Sequence, residues 1–335
     1  MLKKVALTAA ALAIASTSYA TKINGAGASF PAPLYYDWAY NYHKATGIEV
    51  NYNSIGSGGG IKQVSARIVD FGGSDKPLKL KVLDKKNLYM FPSVIGSIVL
   101  AYNLPGIKDM QLKLENKYVA DIFLGKIKYW DDKRIKEDNP NLNLPHKKIT
   151  VVHRSDGSGT TFNFTYYLNG VSKDWANNVG IGKAVDWPVG IGGKGNEGVS
   201  SLIKQTPYSI GYVEYAYKLK NHFTAAIIQS KNGHWVKPIE ENFKAAAKHA
   251  QWKPSEHFYQ ILGLQPGDNS YPIVAATFIL LPREKQAKNQ EVTAFFDWAY
   301  KHGDAAAKKL GYIPLPEVTK NMIRNYWKMH NIQPK

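Results

Sequence analysis

The chain contains no cysteine. That excludes disulfide staples, thiolate metal ligands and the lipid-bearing cysteine of a tethered exported protein. A small secreted domain would feel the loss of disulfides, but a chain of 335 residues can bury enough surface without them. The nine histidines are scattered, with no HExxH and no paired ligand spacing, so no metal or other cofactor is expected. Long apolar runs are absent beyond the N-terminus, which excludes a transmembrane segment there. Acids are scarce, 26 Asp and Glu against 43 Lys and Arg. There is no repeat of fixed period and no low-complexity linker.

What is present begins with export. Lys3 and Lys4 precede the apolar stretch Val5–Ala15, followed by the small-x-small pattern Ser18-Tyr19-Ala20. This is the layout of a secretory signal peptide over residues 1–20, with cleavage expected after Ala20 and a periplasmic destination. The formal charge of +17 drops to about +15 once Lys3 and Lys4 leave. A field of that sign draws anions: small oxyanions, nucleic acid or an acidic membrane surface. A solvated lysine-rich surface gives the same count. The lysines are dispersed (Lys79, Lys81, Lys85, Lys86, Lys126, Lys128, Lys147, Lys148) with no basic stripe interleaved with aromatics, so nucleic acid is not an expected partner.

Strand-like and helix-like stretches alternate, which predicts an α/β protein. Ile48, Val50 and Tyr52 alternate with polar residues as a half-buried strand does. Leu34, Trp38 and Tyr42 mark one face of a helix that Gly47 can terminate. Further strands are expected at Ile68–Phe71, Val94–Tyr102, Ile149–Val152, Ile210–Val213 and Ile273–Leu281. The length predicts two domains. Two apolar, β-branched stretches bracketed by proline, 91–103 and 270–282, have the character of crossovers between lobes. If they are neighbours, lobe I is discontinuous (21–95 and 272–335) and lobe II spans 96–271. Two consecutive domains fit the pattern equally well.

Four loops share one composition: "NGAGASFPAP" (24–33), "NSIGSGGGIKQ" (53–63), "FGGSDKPL" (71–78) and "RSDGSGTTF" (154–162). Each follows an expected strand. A helix start leaves backbone N–H groups unpaired and carries a partial positive charge. Glycine lets that backbone approach a ligand, and Ser or Thr adds hydroxyl donors, so several such loops aimed at one point would hold an oxyanion. Taken singly, Ser29, Ser57, Thr160 and Asp75 fit helix caps equally well, and Arg154 with Asp156 fits a surface ion pair. "GIGGKG" (190–195) fits a dinucleotide fingerprint, but Pro188 precedes it and no regular βαβ unit is expected around it. His153 could in principle serve Ser158 as a base, yet no third partner is suggested. No catalytic residue is assigned. The "PLYYDWAYNY" cluster is expected to form a core helix face.

At these loops the chain resembles a known family. "GAGASFPAPLY", "IGSGGGIKQ", "VDFGGSD", "LGKIKYWDD", "RSDGSGTTF", "GGKGNEGV", "IGYVEYAY" and "FFDWAY" occur in the order seen in the periplasmic phosphate-binding proteins of high-affinity phosphate ABC transporters, the PstS family. The likeness runs from about residue 24 to about residue 300 and more loosely to the end. It implies a type II periplasmic-binding-protein fold, two α/β lobes joined by two crossover strands and closing on orthophosphate. It also implies a monomeric, non-enzymatic receptor that docks on membrane permease subunits. The family's ligand positions fall on Ser29, Phe30 (through its N–H), Ser57, Asp75, Arg154, Ser158, Gly159 and Thr160, and Asp156 matches the acid that orients the arginine. Ser29 stands where many relatives have Thr, and Gly58 where some have a second Ser. The alternatives are a receptor for another oxyanion such as arsenate, and a secreted phosphatase or other phosphoryl hydrolase. The last would need a nucleophile, base or metal beside the anion site.

Overall fold

A computed structural model describes residues 22–335; the expected signal peptide lies outside the described residues. Twelve strands are described: β1 (Lys22–Gly27), β2 (Glu49–Ser54), β3 (Phe71–Ser74), β4 (Leu88–Asn103), β5 (Lys113–Leu114), β6 (Thr150–Arg154), β7 (Ile191–Gly193), β8 (Ser209–Glu214), β9 (Thr224–Ala225), β10 (Ile227–Gln229), β11 (Trp235–Val236) and β12 (Val274–Pro282). Nine of them form one sheet in the order β2-β1-β3-β12-β4-β8-β6-β7, with β9 beside β4; β11, β10 and β5 form a small second sheet. Helices make the long connections that parallel neighbours require.

Two parallel sets share the large sheet. β1 pairs in parallel with β2 and β3, and β6 in parallel with β7 and β8. β4 joins the sets. Its Leu88–Ser97 part runs antiparallel to β12, whereas Ile98–Asn103 pairs with β8. β12 in turn lies between β3 and β4. Both strands are buried almost end to end, which is why each is written as a continuous apolar run rather than an alternating one.

The helix Ala32–Thr46 buries Leu34, Tyr35, Trp38 and Tyr42, and Tyr42 meets Phe295 edge-on at 5.3 Å. Tyr36 and Tyr40 of the same cluster are exposed, so the aromatic run is a core face with two residues on the far side. Gly47 closes the helix at φ 74°, its N–H donating to the His43 carbonyl at 2.8 Å.

Two local expectations are corrected. The strand expected at Ile68–Phe71 starts only at Phe71. Arg67 takes φ 62° and the Ile68 N–H donates to Gln63 O, so the preceding helix uses these residues to turn, leaving Ile68 68% exposed. The stretch 53–63, expected as a loop, is helical from Gly56, in a helix spanning Gly56–Ser65. A Cβ on Gly60 would stand 2.6 Å from Gly27 Cα, so the glycines are what let this helix press onto β1. Among the described residues no helix is long and apolar enough to cross a membrane.

Candidate functional site

Parallel strands end on the same side of their sheet, and loops leaving those ends form the usual binding crevice of α/β proteins. Here both sets aim their ends at one place. Ser29 and Phe30 follow β1, Ser57 follows β2, and Asp75 follows β3. Arg154 ends β6, with Asp156 and Ser158–Thr160 directly after it. Ser29, Phe30, Ser57, Asp75, Arg154, Ser158 and Thr160 are all buried. Bonds between the two sets hold them together: the Gly58 N–H donates to Gly157 O at 2.7 Å, Asn163 Nδ2 to Asp75 O at 2.8 Å, and Ser54 Oγ to Glu197 Oε1 at 3.0 Å. The structure brings every expected site residue to this junction.

Arg154 is held as a fork. Its Nε donates to Asp156 Oδ1 at 2.7 Å and its Nη2 to Asp156 Oδ2 at 2.6 Å, while Nη1 donates to Thr160 Oγ1 at 3.2 Å. The guanidinium is 1% exposed, so the surface-pair alternative does not hold. Burial alone would raise the Asp156 carboxyl; the Arg154 hydrogen bonds and charge, with the Gly195 N–H, outweigh it and hold it below the usual range. Removing one partner of such a pair strands a buried charge, at a cost of roughly 3–5 kcal/mol.

Asp75 is the second buried charge. Thr277 Oγ1 donates to its Oδ1 at 2.7 Å, and Ser57 Oγ lies 3.4 Å from Oδ2 while accepting the Asp75 N–H at 3.1 Å. Burial pushes this carboxyl up to about 7, against the Thr277 bond, the Arg154 charge and the Ser57 bond. The register of β12 against β4 shifts between Thr277 and Phe278, and at that irregularity the Thr277 hydroxyl meets Asp75.

The capping alternative resolves differently at each position. Ser29 Oγ accepts from the Asn196 N–H and Nδ2, Ser57 Oγ serves Asp75, and Thr160 Oγ1 accepts from Arg154 and Asn196, so none caps the helix that follows it in sequence. Asp75 caps none either; Lys79 precedes the next helix. Ser158 does cap the helix Gly159–Val171, accepting the Thr161 N–H at 2.9 Å. Its first N–H groups, from Gly159 and Thr160, have no intrahelical acceptor. Gly159 sits where a Cβ would stand 2.3 Å from Ser57 Oγ and 2.6 Å from Asp75 Oδ2. His153 is no base for Ser158. It alternates with Arg154 along β6, so its ring faces the other side, stacked on Trp187 at 4.8 Å and depressed in basicity by burial.

Sequence reasoning missed Asn196, Thr277, Asn163 and Tyr212. Tyr212 accepts the Arg154 N–H at 3.0 Å and so fixes the end of β6. Thr277 had a visible signal as the one hydroxyl in the run 273–281. Asn196 follows "GIGGKG", and here the expectation is corrected: β7 precedes the helix Gly195–Gln205 and β8 follows it. At three residues β7 is too short to leave a periodicity. Among the described residues no cluster of His, Cys, Asp or Glu could hold a metal ion.

A curled α/β sheet with two parallel sets, and a buried arginine fork facing hydroxyls and helix-start N–H groups at their junction, define a two-lobed solute-binding protein of the periplasmic-binding class. Residues 13–302 match the PBP superfamily domain. The chain is 52% identical over 313 residues to the phosphate-binding protein PstS of Haemophilus influenzae, covering 92% of this chain and 93% of that protein. It is also 52% identical to that of Pasteurella multocida, covering 94% and 92%. A high-affinity periplasmic phosphate-binding protein solved with phosphate shares the fold at TM-score 0.74 and 20% identity, over 94% of this chain and 99% of that one. The chain belongs to the PstS family of phosphate-binding proteins.

Proposed function

We propose that this protein is an exported, monomeric receptor that captures orthophosphate between two lobes and hands it to the permease subunits of an ABC phosphate importer. Lobe I comprises 21–95 and 272–335, and lobe II comprises 96–271; the change of partner along β4 at Ser97–Ile98 supports this division. The ligand lies among Ser29, the Phe30 N–H, Ser57, Asp75, Arg154, Ser158, Gly159 and Thr160, with Asp156 orienting the arginine.

The observation that carries this reading is the pairing of one buried cation with one buried carboxylate among neutral donors. A cradle for any oxyanion needs Arg154 and hydroxyls only; Asp75 would repel most of them. Phosphate near neutral pH still carries a proton, which an ionised Asp75 accepts, whereas sulfate offers only lone pairs. A buried site built around a substrate's proton rejects the analogue lacking it by on the order of 10⁴-fold at the limit; here the rejection rests on ionised Asp75 and so grows as pH rises through about 7. Arsenate shares that proton and is expected to compete. Binding without turnover is the expected behaviour: His153, the candidate base for Ser158, faces away from it and stacks on Trp187.

The test is calorimetry with phosphate and sulfate on protein stripped of anion, alongside p-nitrophenyl phosphate. Saturable phosphate binding, sulfate rejection and no turnover support the receptor. Turnover of the ester, or equal affinity for both anions, overturns it.

A further inference from the structure

Asn196 is fully buried at the start of the helix Gly195–Gln205. Its Oδ1 accepts the Glu214 N–H at 2.9 Å. That bond fixes the amide, because a flip would set Nδ2 against another donor. Nδ2 therefore spends one hydrogen on Ser29 Oγ at 2.9 Å and the other on Thr160 Oγ1 at 3.1 Å. Ser29 Oγ receives a second N–H from the Asn196 backbone at 3.0 Å, and Thr160 Oγ1 a second from Arg154 Nη1 at 3.2 Å.

A hydroxyl oxygen has two lone pairs and one proton. Two donors approach each of these oxygens, so both lone pairs are engaged and only the O–H remains to be placed. It must point away from Asn196 and Arg154. We infer that Asn196 is a positioning residue that commits the Ser29 and Thr160 hydroxyls, one from each lobe, to donating toward the bound oxyanion. The inference rests on the phosphate-receptor reading. An unconstrained hydroxyl can turn its proton elsewhere or accept from a neighbour. With its lone pairs engaged it is a donor before the ligand arrives, and no reorientation is needed on binding.

Asn196→Asp provides the sharpest perturbation, since it is nearly isosteric and still accepts from the Glu214 N–H. Its second oxygen faces Ser29 and Thr160 as an acceptor and draws both protons away from the ligand. Calorimetry on anion-free protein, in double-mutant cycles with Ser29→Ala and Thr160→Val, reads the effect. In the wild-type background each hydroxyl deletion is expected to weaken phosphate binding about 10- to 100-fold, the range of a hydrogen bond to a charged group. Asn196→Asp alone is expected to weaken it more than about 100-fold, and adding either deletion then costs less than about twofold. Should Asn196→Asp fail to fold by circular dichroism, Asn196→Ala carries the same cycle with Thr160→Val, and at least a fivefold departure from additivity is expected (on the order of 1 kcal/mol). A merely structural Asn196 gives additive losses, which overturns the inference while leaving wild-type phosphate binding intact. Wild-type protein that binds no phosphate removes the receptor reading and this inference together.

Discussion

Asp75→Asn separates the two roles of the buried carboxylate, and its effects can be worked from the structure. Asparagine keeps the shape: its Oδ1 can accept from Thr277, and its Nδ2 can donate to Ser57 Oγ. Burial moves the Asp75 carboxyl from 3.8 to about 7 in the folded protein, so its ionised form there costs at most about 4 kcal/mol. Because the folded value lies above the unfolded one, the group's contribution to stability is complete below about pH 4 and is lost as pH rises through 7. The anion-free Asp75→Asn protein is therefore expected to exceed wild type in stability at pH 8, with the gap narrowing as pH falls toward 5. Sulfate supplies the functional readout. It tolerates only a protonated Asp75, so its affinity for wild type is expected to fall about tenfold per pH unit above 7 and to level off below about 6. The asparagine variant, with an N–H in place of the carboxylate, is expected to show no such slope and to reject sulfate at pH 8 about tenfold less strongly, the factor set by the one pH unit above 7. Calorimetry across pH 5.5–8.5 and denaturant unfolding of the stripped proteins test both halves. Equal sulfate rejection by the two proteins at pH 8 would refute the proton-reading role of Asp75.

Three further outcomes are expected. Asp156→Ala frees the Arg154 fork and strands its charge, so phosphate affinity should drop by about 10²-fold or more, with lower thermal stability; titration at wild-type affinity would refute the orienting role. Gly159→Ala places a methyl group against Ser57 and Asp75, and should abolish tight binding while leaving circular dichroism unchanged; binding within tenfold of wild type (about 1.4 kcal/mol) would show that the approach is not needed. Glu214 is buried, one carboxyl oxygen accepting the Ala216 N–H and the other without a partner, and burial raises its carboxyl well above the usual range. The folded value again exceeds the unfolded one, so stability from this group is lost as pH rises. Glu214→Gln should then raise Tm at pH 8 more than at pH 5, by about 1–2 °C for each kcal/mol recovered. A Tm gain independent of pH would refute the assignment.

The sequence by itself determined whatever depends on neighbours along the chain. Alternating patterns marked the strands, the Leu34–Trp38–Tyr42 face marked its helix, and Gly47 marked its end. The Arg154–Asp156–Ser158–Thr160 half of the candidate site stood out as a cluster in the sequence because its bonds close within six residues. Local signals failed where the backbone answers to a distant contact, as at Gly56–Gly60, which turns helical against β1, and at Ile68, which the preceding turn claims. Tertiary structure decided the rest. Thr277 reaches Asp75 across 202 residues and Asn196 reaches Ser29 across 167, pairings that strand order and register alone create. The same holds for charge. Asp75 has an ordinary carboxyl in the sequence and one near 7 in the fold, because desolvation belongs to the surroundings and not to the residue.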